Sequence, residues 1–257
     1  MNLNHGKIKF IVIAIVIVVV AILVGVGALL MNLWDEEKPI IDPEPGQTIV
    51  DEKKTPAEKT IVDTTESRTS DSKREIHINM PRISNLSNYS FQQYINKRMS
   101  DTVKYYQNEI NVVLDENTPV TTKYRYNVDY NRYNNGNYLS IVIDQDYETG
   151  GMRSNAWKDT YNIDVVKNTE IYLKDLFSST VDYEKEIVEE INEQAMLKNY
   201  ELVGGNGLKD IPEKQKFYIK DGKLIIYFDP AAIAPYVYGS LNFEMPFELE
   251  DGKFNVE

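Results

Sequence analysis

With 257 residues, no cysteine and 40 acidic against 28 basic side chains, the chain can bury one or two cores but must hold them without disulfides. Its acidity and its lack of grouped lysines and arginines argue against nucleic acid and anionic lipid as partners, because phosphate binding needs clustered cations to displace counterions. Only two histidines occur, His5 and His77, so zinc hydrolase chemistry built on two or three histidines is excluded beyond residue 31, and a Ser-His-Asp centre there would have to use His77.

Phe10 to Met31 carry no charged side chain, follow Lys7 and Lys9, and precede Asp35, Glu36 and Glu37. As a helix the run covers roughly 33 Å, enough to cross a hydrocarbon core of about 30 Å. Positive flanks stay in the cytoplasm. The expected topology is therefore a single-pass cell-membrane protein, with residues 1–9 as a cytoplasmic tail, residues 10–31 as the transmembrane helix and everything from Asn32 outside. A cleaved signal ending at Val26-Gly27-Ala28 is the competing reading, against which the length of the run speaks.

From residue 32 to residue 74 the chain is polar, proline-containing and without apolar period, and a disordered stem is expected there. The stem contains Thr48-Ile-Val-Asp51 and again Thr60-Ile-Val-Asp63, two copies that are too few for a repeat architecture. The folded part is expected at 75–257, with a subdivision into 75–166 and 167–257 compatible with the element order.

Ile76, Ile78 and Met80 alternate with His77 as on a half-exposed strand. Ser90-Phe-Gln-Gln93 has the form of a capping box, and Phe91, Ile95, Met99, Val103, Tyr106, Ile110 and Val113 form the core-facing stripe of a long helix. Tyr124, Tyr126, Val128 and Tyr130, then Asn134-Asn-Gly-Asn137, then Leu139, Ile141 and Ile143 predict a hairpin with an Asn-Gly turn. Trp157 to Val166 reads as a strand that turns at Lys167-Asn-Thr169 into Glu170 to Leu173. Tyr183, Ile187, Ile191 and Met196 predict a second amphipathic helix ending near Gly204-Gly205. Phe217 to Lys220, Asp221-Gly222 and Lys223 to Phe228 form a second hairpin, and Ser240 to Leu249 a last long strand. The fold class expected is α+β, with an antiparallel sheet and two long helices.

No catalytic constellation emerges. Asp129, Asn131, Asn134 and Gly136 miss the spacing of a calcium loop, because Tyr133 and Ser140 stand where ligands are required. Asp144 and Asp146 share a strand face, but in so acidic a chain they read as a solvated face, and Gly204-Gly-x-Gly207 lacks the strand and helix of a nucleotide loop. The expectation is a protein that is not an enzyme and uses no cofactor and no metal. All 18 tyrosines lie between Tyr89 and Tyr238, and Tyr147, Tyr236 and Tyr238 stand out beside Gly and Pro in expected loops. Tyrosine suits half-wet sheet faces and protein or sugar contacts alike.

Gly150-Gly151 before a Trp/Tyr strand, Ile171-Tyr-Leu-Lys-Asp-Leu-Phe177, Phe217-Tyr-Ile219, Leu224 to Phe228, Ile233-Ala-Pro-Tyr236, Gly239 and Phe243-Glu-Met-Pro246 follow one another in a distinctive order. In this order the chain resembles the extracellular domain of the RsiV-type anti-sigma factors, which act as lysozyme receptors; a similar domain precedes the catalytic part of membrane-anchored peptidoglycan deacetylases. The resemblance spans about residues 75–250. Where that family has Gly-Gly-Ala-His this chain reads Gly150-Gly-Met-Arg153, so the role of the histidine does not carry over. Nine residues before the apolar run are too few to wrap a sigma factor, and no deacetylase domain is expected after Glu257.

The resemblance implies an anchored binding protein of a Gram-positive-type cell envelope, recognising lysozyme or another cationic wall-active protein, or alternatively peptidoglycan or another wall polymer. Its most distinctive loops nominate Tyr147, Gly151, Met152, Arg153, Tyr236 and Tyr238 as partner-binding residues.

Overall fold

The computed structural model describes residues 54–113, 122–148 and 154–256. The apolar run Phe10–Met31, most of the expected stem and Gly151, Met152 and Arg153 lie outside these residues. Among the described residues no helix is long and apolar enough to cross a membrane.

Thr55 opens the first element with a capping box: its hydroxyl accepts from the Glu58 N–H at 3.4 Å, the Glu58 carboxylate accepts from the Thr55 N–H at 2.6 Å, and Pro56 starts helix α1 (Pro56–Lys59). Strands β1 (Ile61–Ser70) and β2 (Arg74–Ser84) then pair antiparallel along the whole length of β1. The expected disorder through residue 74 is corrected here. Every residue of β1 except Val62 is exposed, so the strand carries no apolar period, while Thr64, Thr65 and Thr69 favour extended backbone and the ladder to β2 satisfies its inner edge.

Helix α2 (Tyr89–Val113) is capped by Asn88, whose Oδ1 accepts from Phe91 N at 3.0 Å. The Ser90-x-x-Gln93 box is unused; the cap lies two residues earlier, and Gln92 takes the Leu86 N–H at 3.1 Å. Ile95, Met99 and Val103 are buried as the stripe predicts, with Phe91 and Tyr106 half-buried beside them. The side chains of Ile110 and Val113 lie outside those described.

Strands β3 (Tyr124–Asn135), β4 (Tyr138–Glu148), β5 (Ser154–Asp164) and β6 (Thr169–Glu170) complete a sheet ordered β1-β2-β3-β4-β5-β6. It is mixed, which corrects the antiparallel expectation: β2 and β3 run parallel from Arg74↔Tyr124 to Ile78↔Val128, since the connection through α2 carries the chain back to the end of the sheet at which β2 began. The β3–β4 turn is centred one residue later than Asn-Gly suggests. Asn135 pairs with Tyr138 inside the ladder, and Gly136, at φ 63°, takes the positive-φ corner.

The remainder builds a second layer. A 3-10 turn at Leu173–Leu176 precedes helix α3 (Tyr183–Leu197); β7 (Phe217–Lys220), β8 (Lys223–Phe228) and β9 (Leu241–Glu244) form a three-stranded antiparallel sheet, and β10 (Glu248–Glu250) pairs with β11 (Lys253–Asn255). The β7–β8 turn is Asp221-Gly222, both at positive φ, as predicted. Helix α3 ends at Leu197 rather than near Gly204-Gly205, because Asn199 takes a left-handed conformation at φ 54°; Ala195 fills the buried position, and Met196 is 72% exposed. The expected long last strand is broken between β9 and β10 by Met245-Pro-Phe247, whose Met and Phe turn into the core.

Each layer has its own core. Ile76, Ile78, Ile83, Val128, Leu139, Ile141 and Ile143 meet α2 on one face of the large sheet. Ile187 and Ile191 of α3 meet Ile219, Leu224, Ile226 and Phe243 of the small sheet. Between the layers the free edge of β7 is held by side chains from the opposite face of the large sheet. Asn162 Nδ2 donates to Phe217 O at 2.7 Å, Ile219 N donates to Ser140 Oγ at 3.0 Å, and Asn135 Nδ2 donates to Ile219 O at 2.9 Å. Ser140 Oγ donates in turn to Asn162 Oδ1 at 2.6 Å. Three buried polar side chains thus replace the strand that β7 lacks.

Candidate functional site

The nominated residues divide into three groups. Tyr147 lies in β4 opposite Tyr126 and Asn155, not in a loop, and its ring meets Trp157 edge-on at 5.8 Å. Gly151, Met152 and Arg153 lie outside the described residues. Tyr236 and Tyr238 bracket a 3-10 turn, with Tyr238 packed on the second core and set edge-on to Tyr200 at 5.3 Å, and with Val237 between them 85% exposed.

A depression of about 190 Å³ brings the neighbours of two of these groups together: its lining includes Asp146, beside Tyr147, and Ser240, two residues beyond Tyr238. The large sheet supplies Asp129, Asp144 and Asp146 to its wall, and Lys158 is the only basic residue in the lining. Cross-strand pairing explains the juxtaposition. Asp129 stands opposite Asp144, which stands opposite Lys158, and Asn127 opposite Asp146, so all point to the same face. Lys158 bonds Asp144 directly, Asn131 donates to Asp144 at 2.8 Å and Asn127 to Asp146 at 3.0 Å. One cation for three carboxylates leaves the surface electronegative and suited to a basic group. Among the described residues no cluster of three metal-ligating side chains forms.

Along the adjoining edge of β5 runs a polar network. Tyr227 Oη accepts from Lys158 N at 3.1 Å, and Lys216 Nζ donates to Lys158 O at 2.7 Å and to Asp229 Oδ2 at 2.8 Å. Gln145, 2% exposed, donates to Asp159 at 2.6 Å and accepts from the Tyr126 hydroxyl. Burial pushes Asp159 above the ordinary carboxylate range, with the nearby Lys216 opposing. Burial likewise pushes the Tyr161 phenol up to about 12.

A carboxylate raised on folding binds its proton more tightly in the native state. Its contribution to stability is therefore greatest below its unfolded pKa of about 3.9 and falls as pH rises through the higher folded value. Urea melts across this range should show Asp159→Asn gaining stability relative to the parent as pH increases. A difference that stays flat with pH would refute the assignment.

Two of the larger concavities carry several carboxylates. One, of about 690 Å³, lies where four hairpin turns converge, with Asn134, Asn137, Asp164, Lys167, Asp221 and Asp251 in its lining. The other, of about 620 Å³, runs between α3 and the β10–β11 pair, with Glu186, Glu189, Glu190 and Glu193 facing Glu248 and Glu250. None of the three is lined by the nominated tyrosines. The sequence does place Asp144 and Asp146 on one strand face; what it does not reveal is Lys158 beside them or Ser240 arriving from the second layer.

Comparison with known proteins finds two matching family models. One, described as DUF3298, a protein of unknown function, matches residues 174–248, and one described as deacetylase PdaC matches residues 67–156. No curated protein matches the chain. Among solved structures it is similar to a DUF3298 family member from Bacteroides fragilis at 15% identity and TM-score 0.55, covering 79% of this chain and 96% of that one. A DUF3298 family protein from Pseudomonas aeruginosa is 13% identical, with a TM-score of 0.49 and coverages of 73% and 89%. The Bacteroides structure shows that the fold recurs there. The chain thus joins a PdaC-like segment, from the β1–β2 ribbon to β5, to a DUF3298-like segment forming the second layer.

Proposed function

We propose that this chain is a wall-associated extracellular binding module, held to the membrane by Phe10–Met31, that docks a cationic wall-active protein of the lysozyme type. The observation that carries the reading is the depression in which Asp129, Asp144 and Asp146 meet a single Lys158 close to the Tyr236–Tyr238 turn. Support also comes from the PdaC-like and DUF3298-like segments, from the resemblance to the RsiV-type extracellular domain, and from the 40 acidic side chains, which attract a basic partner at long range.

Titrating the full chain in detergent with hen lysozyme at about 0.15 M salt should reveal saturable binding, with an on-rate that falls as salt increases. The double variant Asp129→Asn/Asp146→Asn should bind roughly tenfold more weakly, about 1.4 kcal/mol, mainly through slower association. Tyr236→Ala should shorten the complex lifetime with little change in melting temperature, whereas Tyr238→Ala should lower the melting temperature, because its ring packs on the second core. No binding at tens of micromolar would overturn the receptor reading.

A second reading, binding of a wall polymer, is favoured by the cleft of about 690 Å³, whose amides and carboxylates suit hydroxyl and amide groups. Co-sedimentation with purified peptidoglycan distinguishes it from the first.

A further inference from the structure

Among the described residues, inner strand edges on β2, β5 and β7 are closed by side chains or a neighbouring segment. Asn96 of α2 takes both backbone groups of Ile83 on β2, accepting from its N–H at 2.8 Å and donating to its carbonyl at 2.7 Å. On β5, Tyr227 and Lys216 take the two backbone groups of Lys158, and Ile171 N donates to Asn162 O at 2.8 Å. On β7 the three polar side chains from the large sheet do the same.

The outer edge of β1 is different. It runs for 10 residues, all exposed but Val62, contains no proline, and among the described residues no group outside β2 bonds its backbone. An open ladder of this length is a template for another strand.

We propose that this edge pairs with β1 of a second copy of the chain, antiparallel, about a twofold axis through Ser67. Such an axis normal to the sheet keeps both α2 helices on one face and requires residues of like parity to stand opposite each other. Charge then selects the register. The charged residues of β1 are Asp63, Glu66 and Arg68. Centring on Glu66 or Arg68 places like charges on the axis, and centring on Thr65 places Arg68 against Val62. Centring on Ser67 places Glu66 against Arg68 in both directions and Thr65 against Thr69, the pairings that stabilise an antiparallel ladder. Asp63 then falls opposite Asp71, which Arg74 already neutralises at 2.9 Å. Glu66 and Arg68 bond each other within each free strand, so dimerisation exchanges the two pairs within the copies for two between them and leaves no charge unpartnered. The result is one continuous twelve-stranded sheet, formed without use of the acidic depression.

The chain has no cysteine, which makes the register directly readable. Full-length Ser67→Cys, oxidised in detergent and run without reductant, should form a disulfide dimer at least about tenfold faster than the exposed control Ser179→Cys, because pairing raises the local thiol concentration. Thr65→Cys alone should remain uncrosslinked, yet link to Thr69→Cys when the two are mixed. Arg68→Glu should abolish the Ser67→Cys dimer, and adding Glu66→Arg to it should restore it. Crosslinking at position 67 no faster than at 179, or equal crosslinking of Thr65→Cys with itself and with Thr69→Cys, overturns the proposal. The first result would mean that the edge is free or covered by another segment. The second would mean that association lies elsewhere.

Discussion

Asn162→Leu is expected to destabilise the protein by about 2–4 kcal/mol, read as a lower urea midpoint at unchanged slope. Asn162 is 6% exposed and makes two bonds, one across the layers to Phe217 O at 2.7 Å and one from its neighbour in the large sheet, Ser140 Oγ, at 2.6 Å. Leucine has similar volume but leaves the Phe217 carbonyl and the Ser140 hydroxyl without these partners in a dry interface, each costing about 1–3 kcal/mol. The exposed control Asn206→Leu should change stability by no more than about 0.5 kcal/mol. A loss below about 1 kcal/mol at Asn162 would show that the interface is wet and the polar clasp dispensable.

Phe243→Ala should be costlier still, about 3–5 kcal/mol. Its ring is fully buried at the centre of the second core, 6.0 Å from Phe228 and 6.4 Å from Tyr200. Truncation removes transfer energy and leaves a cavity between β9 and α3 that the surrounding sheet cannot fill. At roughly 2–4 °C per kcal/mol for a domain of this size, the melting temperature should fall by about 6–20 °C. Because β9 begins three residues after Tyr238, the same variant should loosen the turn that borders the acidic depression. A fall under about 3 °C would contradict the packing described.

The sequence was most legible where one side of an element is buried and the other wet. Ile95, Met99 and Val103 were predicted as a helical stripe and are buried as one, and the Asp221-Gly222 turn was readable because positive φ at both positions demands such residues. Legibility failed in β1, where exposure on both faces removes the period on which strand recognition depends. It failed by one residue at Asn135-Gly136, because either of two adjacent pairs can occupy the corner and the buried amide of Asn135 is needed by β7. Met196 and Ala195 exchanged roles because a helix ending at Leu197 sets which side of its last turn meets the core.

Composition and pattern by themselves determined the α+β class, the helices and hairpins, the acidic surface and the absence of disulfides. These depend on local periodicity, turn chemistry and counting. Only the tertiary structure decided that the large sheet is mixed, that Asn135, Ser140 and Asn162 stand in for a missing strand, and that Asp129, Asp144 and Asp146 share a depression with Ser240. Each of these joins residues distant in the chain, and no local periodicity records which edge, face or turn another layer will meet.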